Sequence, residues 1–390
     1  MKIAIVTFVH AYNYGAELQC FALQYKLRNQ GFNVEVLDLY RPQDDEYRHT
    51  KDSDLKFGPL FSHNSSSDRK ARIHRIAAGW IAYMQKIFYR KRFIERKKAF
   101  WGFHEEYTNL SPQPIYNFLA LYQQNFDYTH YIVGSDQVWN YSNGFSVEPY
   151  LLSFVDNAKK ISYAASIGHS DIPSQISEIY LKNLLSFCAI SLREEQGTKI
   201  ISEITKRNDV VTVLDPTLLL SKEEWENALR ISKSPCKPYL LLYLLSRSCE
   251  SVDFAIELAK KRDWDVKIIS TSIVPQYKYN NIQYICGVSP KQFVELFCSA
   301  SFVVTNSFHG TAFAVNFNIP FISTTRSDKR YNSRFVNLLN ITGLSSRLVF
   351  EDKLDYSRLD NLEACDFSTA RTSIEDERSK SIDFILKALV

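Results

Sequence analysis

The segment Phe302-Val303-Val304-Thr305-Asn306-Ser307-Phe308-His309-Gly310-Thr311 constrains the fold more than any other part of the chain. An apolar run reads as a buried strand, a polar loop follows it, and a short apolar helix is expected from Ala312 to Phe317. Ile319-Pro320-Phe321-Ile322 then supplies a second apolar stretch. Strand, loop, helix and strand in so few residues is the unit of a parallel α/β sheet. It puts His309 and several backbone N–H groups at a helix N-terminus on the carboxyl edge of that sheet. Open α/β sheets take ligands at this edge, and a helix end there favours an anion.

The pattern recurs. Residues 2–8 read as a strand, 9–15 as a loop, and Leu18, Phe21, Ala22 and Tyr25 fall at helical spacing between Ala16 and Asn29. Gly31 ends that helix and residues 34–39 give the next strand. Strand-then-loop units follow at 130–137, 161–169 and 189–197, and the run 210–214 closes on Asp215-Pro216. A second series has strands at 239–245, 266–270 and 282–286, a helix around 250–262, and another starting at Ser289-Pro290. With 390 residues, long for one core, two domains are expected. We place them at 1–225 and 237–370, with Ser234-Pro235-Cys236-Lys237-Pro238 as linker and a helix at 371–390 packing across both.

Composition narrows the function. A net charge of +4 implies no general pull toward nucleic acid, so no nucleic-acid partner is expected. Seven scattered cysteines, mostly in apolar runs and without a CxxC pair, read as reduced core thiols of a cytosolic protein. The opening Met1-Lys2-Ile3-Ala4-Ile5-Val6 is too short for a signal-peptide core, and no apolar run approaches bilayer length, so a cytoplasmic location is expected. There is no GxGxxG after a strand, no P-loop lysine and no metal-ligand spacing. Asp52-Ser53-Asp54 sits in an acid-rich polar insertion at 41–68, where a DxD pattern arises by chance. Residues 69–98 carry eleven Lys and Arg against Glu95 alone, a local net of +10, with apolar positions at helical spacing. Such a basic amphipathic helix either lies on an anionic membrane surface or packs its stripe on its own domain.

What remains is a set of polar residues at strand ends. Asn13 and Glu17 flank Gly15 at one helix start, Asp136 and Gln137 follow one strand, and Arg193 follows another. His309 faces them from the second domain if the two carboxyl edges oppose. Taken singly, each has an ordinary explanation: Asn13 as a helix cap, Asp136 as a turn residue, Arg193 as a partner of Glu194 or Glu195.

The series Asn13-Tyr14-Gly15-Ala16-Glu17-Leu18, Gly134-Ser135-Asp136-Gln137-Val138-Trp139-Asn140, Ser191-Leu192-Arg193-Glu194-Glu195, Asp215-Pro216-Thr217 and Ser307-Phe308-His309-Gly310 resembles the polysaccharide pyruvyl transferase family. The likeness runs in order from about residue 3 to residue 347, with 41–125 poorly covered. It implies a GT-B-like fold of two Rossmann-type domains with parallel sheets facing across a cleft. It also implies phosphoenolpyruvate as donor and co-substrate and a sugar acceptor, often part of a surface polysaccharide or its lipid-linked precursor. A lipid-linked acceptor would place the protein peripherally on the inner face of the cell membrane. By the same resemblance Arg193 looks like the donor-phosphate arginine and His309 like the catalytic histidine, with Ser307 and Gly310 beside the donor. Where some relatives have Arg-Leu-His-Gly, this chain has Ser307, and Arg330 or Arg334 is the candidate for the missing guanidinium. Asn13, Glu17, Asp136, Gln137 and His169 are the acceptor-side candidates.

The chemistry suits these residue types. Phosphoenolpyruvate carries a phosphate and a carboxylate, which arginine forks match, and a histidine can give or take a proton near neutral pH. No metal or further cofactor is expected. Two alternatives stay open at this point: a GT-B glycosyltransferase using a nucleotide sugar, and a non-enzymatic protein that binds membrane or nucleic acid through residues 69–98.

Overall fold

The computed structural model describes residues 1–40, 90–142, 146–232, 236–246, 248–270, 281–285, 287–326 and 333–390. Two six-stranded parallel sheets organise them. The first contains β1 (Lys2–Val6), β2 (Asn33–Val36), β3 (His130–Val133), β4 (Lys159–Ala165), β5 (Phe187–Leu192) and β6 (Val211–Thr212), in the order β2-β1-β3-β4-β5-β6. The second contains β7 (Tyr239–Leu244), β8 (Asp265–Ser270), β9 (Ile282–Ile285), β10 (Phe302–Thr305), β11 (Phe321–Thr325) and β12 (Leu348–Phe350), in the order β12-β11-β10-β7-β8-β9. This is the two-unit, Rossmann-type α/β architecture of a GT-B-like fold.

Helices cover both faces of each sheet, so the central strands read as unbroken apolar runs. Ile3, Ala4, Ile5 and Val6 are all fully buried, as are Leu240, Leu241, Leu242 and Leu244. The strand orders then fix where a ligand can enter. In the first sheet the chain steps from β1 to β2 on one side and later to β3 on the other, so the loops after β1 and β3 diverge. In the second sheet β7 is followed by β8 and β9 on one side and by β10 on the other. A crevice opens at each such reversal, outside the carboxyl ends of the strands. His309 follows β10, and Asp136 follows β3.

The two units share one apolar core. Tyr14, at the start of helix Tyr14–Asn29, stacks on Phe293 with ring centroids 4.5 Å apart and donates its hydroxyl to Val288 O at 3.1 Å. Trp225 packs against Phe21 on one side and Phe313 on the other. The last helix, Ser368–Leu389, fastens this seam. Arg378 donates from Nε to Leu218 O at 2.8 Å and from Nη2 to Asn316 Oδ1 at 3.1 Å, and Ser381 Oγ accepts from Leu214 N–H.

Several expectations are adjusted. The helix expected to begin at Ala312 runs from Phe308 to Asn316, because Ser307 caps it and draws His309 into the first turn. The final helix starts at Ser368 rather than 371. Of the basic segment 69–98, residues 69–89 lie outside the described residues, as do the insertion 41–68, Asp52-Ser53-Asp54, Ser234-Pro235 and Arg330. The described part belongs to a helix, Arg90–Tyr107, that continues past 98 and buries Phe100 and Phe103 in the shared core. Six described cysteines form no disulfide, and only Cys20 and Cys298 of them are buried, so the core reading holds for those two. No helix among the described residues is long and apolar enough to cross a membrane.

Candidate active site

Arg193 is the hub. It leaves the end of β5 with its side chain wholly buried, and a buried guanidinium must be paired. Nη1 donates to Asp215 Oδ2 at 2.8 Å and Nη2 to Asp136 Oδ1 at 3.2 Å, while Glu194 Oε2 stands 3.9 Å from Nε. Asp136 sits at φ +73°, left-handed backbone that a non-glycine residue holds only under constraint and that recurs at functional sites. Asp215 is held as tightly. Its Oδ2 also accepts from Ser135 Oγ at 2.9 Å, and its Oδ1 accepts from the Thr217 N–H and hydroxyl at 3.0 and 2.7 Å.

These contacts set the charge states. Burial alone would raise the Asp215 pKa, but His309 and Arg193 outweigh it and hold the carboxyl well below its usual range. Asp136 is treated alike: burial pushes upward, and Arg193 and His309 bring the net shift down.

His309 enters from the second unit, with Nε2 3.7 Å from Asp215 Oδ2 and no hydrogen-bond partner at that nitrogen among the described residues. Its ring lies directly on Gly15, in the first turn of helix Tyr14–Asn29; a Cβ at Gly15 would fall inside the imidazole. A carboxylate fixed on one unit and an imidazole carried by the other are thus brought into register by a glycine.

Arg334, in helix Ser333–Ile341, completes the cluster. Phe308 lies between the two arginines, its ring centroid 5.1 Å from the Arg193 guanidinium and 5.8 Å from that of Arg334. With its amide oxygen facing Arg334, Gln137 accepts at 2.9 and 3.3 Å. No described carboxylate makes an ion pair with Arg334. Burial and the neighbouring Arg193 charge bring its pKa down to about 10, against the pull of Glu194, Asp136 and Asp215. Among the described residues its charge is thus balanced only from a distance, by Glu194, Asp136 and Asp215, which leaves its donors available to an incoming anion. A cavity of about 180 Å³ beside it has Arg193, Asp215, Phe308, Arg334 and the carboxylates Glu195 and Glu377 among its walls.

The remaining candidates are elsewhere or occupied. Asn13 caps its helix, accepting from Gly15 and Ala16 N–H. Glu17 is buried with Oε2 2.9 Å from His104 Nε2. Ser307 Oγ caps its own helix by accepting from Gly310 N–H, and Gly310 lets that helix approach Thr305 and Tyr243. His169 lies across the Gln137–Asn140 loop from the cluster, bonded to Ser142 and Asn140 and stacked on Tyr141. Asp215 has no assigned role in the sequence reading, although two signals mark it: the Asp-Pro at a strand end, the same position that marks Asp136 and Arg193, and its place in the family-like Asp215-Pro216-Thr217. No group of three His, Cys, Asp or Glu among the described residues is placed to hold a metal ion.

Two facing α/β units with ionisable groups converging from both carboxyl edges define an enzyme-like interdomain site. The sequence profile of the polysaccharide pyruvyl transferases matches residues 13–328, and the chain belongs to that family. No curated protein matches it. Similar solved structures include the UDP-GlcNAc 2-epimerase of Methanocaldococcus jannaschii, 12% identical with a TM-score of 0.49, the match covering 94% of this chain and 93% of that one. The UDP-GlcNAc 2-epimerase of Neisseria meningitidis, bound to UDP-GlcNAc, is 11% identical with a TM-score of 0.48, covering 99% and 100%. At these scores the likeness transfers neither ligand nor reaction.

Proposed function

We propose that this pyruvyl transferase moves the pyruvyl group of phosphoenolpyruvate onto two hydroxyls of a sugar, forming a cyclic ketal during the synthesis of a surface polysaccharide, on a lipid-linked precursor at the inner face of the membrane. The observation that carries the reading is Arg334, a cation that no carboxylate among the described residues ion-pairs, beside a histidine–aspartate pair. The donor's anionic groups would lie on Arg334, within reach of the buried Arg193 charge behind it, with Glu195 and Glu377 turning them that way. His309 is not among the cavity walls, so the reading requires the bound donor to extend past Phe308 to the imidazole.

Protonated His309 would give its proton to C3 of the donor, turning the methylene into a methyl and leaving an oxocarbenium-like C2. One sugar hydroxyl forms the first C2–O bond. The C2–O bond to phosphate then breaks, its electron pair leaving with the phosphate, and the second hydroxyl closes the ketal. Of the two hydroxyl protons, one replaces that delivered to C3 and the other accompanies the phosphate. Asp215, anionic throughout and 3.7 Å from Nε2, would stabilise the imidazolium through space. Neither a metal nor a further cofactor enters the scheme.

Calorimetry with phosphoenolpyruvate and a panel of nucleotide sugars tests the reading. Phosphoenolpyruvate should bind, and Arg334→Gln should weaken it at least 10-fold. Binding of a nucleotide sugar in its place would identify a glycosyltransferase and overturn the proposal.

A further inference from the structure

A second group of ionisable side chains stands at the carboxyl edge of the first sheet, apart from the Arg193 cluster. His10, in the loop after β1, has Nε2 2.5 Å from Asp38 Oδ1. Its ring stacks with Tyr40 at 4.1 Å and with Trp101 at 5.7 Å, and lies 5.2 Å from the ring of His104. His104 in turn faces Glu17. The backbone is left-handed at both His10 (φ +60°) and Tyr12 (φ +47°), conformations that non-glycine residues keep only where the surroundings enforce them.

This arrangement has the parts of a base. Asp38 at Nε2 places the imidazole proton on that nitrogen, which leaves the Nδ1 lone pair free on a ring that is itself nearly buried. No described group hydrogen-bonds Nδ1. It also has the parts of a sugar platform. Trp101 is 42% exposed, and its indole N–H is oriented by Glu105 Oε1 at 2.7 Å. The open cleft beside it, about 440 Å³, is lined by Tyr12, Lys97, Lys98, Trp101, Gly102 and Glu105. An aromatic face with a few fixed polar groups around it is how proteins hold small polyols with an apolar side. Two residues, about 11 Å of chain at most, separate His10 from Asn13, the cap of the helix whose Gly15 carries the His309 ring.

We propose that His10, oriented by Asp38, is the acceptor-side catalytic base, and that Trp101 and Tyr12 form the face on which the acceptor sugar lies. This rests on the pyruvyl transfer reading and divides its proton work between two histidines. His10 Nδ1 takes the proton of the first attacking hydroxyl as its oxygen bonds to C2, while His309 supplies the proton that goes to C3. The second hydroxyl's proton restores His309, and the proton held by His10 leaves with the phosphate. Two hydroxyl protons enter, and one C–H bond and one protonated phosphate emerge.

The test uses the full chain labelled with 15N at histidine, and the methyl glycosides of galactose, mannose, glucose and N-acetylglucosamine as probes, with phosphoenolpyruvate binding measured separately by calorimetry. At least one glycoside should receive saturation from the protein and shift the Nδ1 resonance of His10, identified by its loss in His10→Gln. Trp101→Ala should weaken that glycoside at least 10-fold and leave phosphoenolpyruvate affinity unchanged. Asp38→Asn should move the imidazole tautomer without abolishing glycoside binding. Any probe that is pyruvylated should turn over about 10²-fold more slowly with His10→Gln. No glycoside binding, binding that ignores Trp101, or an unperturbed His10 would each overturn the proposal. Glycoside binding at Trp101 in a protein that does not bind phosphoenolpyruvate would sink the pyruvyl transfer reading and the base role with it, leaving a carbohydrate site.

Discussion

Gly15→Ala sets two physical effects against each other. Gly15 lies in the first turn of helix Tyr14–Asn29 at ordinary negative φ, where alanine is favoured by about 0.5–1 kcal/mol. On propensity alone the substitution stabilises. The new methyl, however, would occupy the His309 imidazole, and forcing atoms into a packed site costs about 1–3 kcal/mol. The steric term is the larger, so we expect a net loss of about 1–2 kcal/mol. Gly102 provides the control: it lies in helix Arg90–Tyr107, is exposed, and a Cβ there meets nothing within 4 Å. Gly102→Ala should therefore stabilise by about 0.5–1 kcal/mol. Urea unfolding of the two variants beside the parent measures both signs. Because the displaced ring is His309, Gly15→Ala should also slow transfer about 10²-fold, the usual result of moving a reacting group by 1 Å. If both alanines stabilise alike, Gly15 does not seat His309, and the register between the two units described above is wrong.

Acid should act through Asp136 and Asp215. Their folded pKa values lie below the unfolded value of roughly 3.9, so the stability they supply is complete above that pH and is lost as pH falls through it toward the folded values. The urea midpoint should consequently drop below about pH 4, and Asp215→Asn should flatten that drop; an unchanged acid slope in the variant would refute the assignment. Arg378→Met keeps the apolar stem but removes the donors to Leu218 O and Asn316 Oδ1, leaving buried acceptors open. Charged hydrogen bonds are worth about 1.5–3 kcal/mol each, so a loss of at least 2 kcal/mol is expected in the same unfolding assay, with faster proteolysis of helix Ser368–Leu389. Parental stability would show that this helix does not fasten the seam.

Much of the fold was legible because local physics dictates it. A run such as Leu240-Leu241-Leu242 between turn signals can only be a strand covered on both faces, and Ser289-Pro290 announces a helix start wherever it packs. The positions of Asp136, Arg193 and His309 were legible for the same reason, since each follows an apolar run at a strand's carboxyl end.

What each of these groups does was decided by tertiary structure. Nothing local distinguishes Arg193, enclosed by three carboxylates, from Arg334, which no described carboxylate ion-pairs, because apart from the adjacent Glu194 the deciding neighbours are distant in sequence. Asn13 and Ser307 read equally well as ligand contacts or as caps until their oxygens are seen on their own helices. The pairing of His10 with Asp38, and of His309 with both Gly15 and Asp215, exists only because crossovers carry distant strand ends to one edge. Sequence periodicity reports which face of an element is buried. The charge of a buried group, and hence its chemistry, depends on what the fold places within a few ångströms of it.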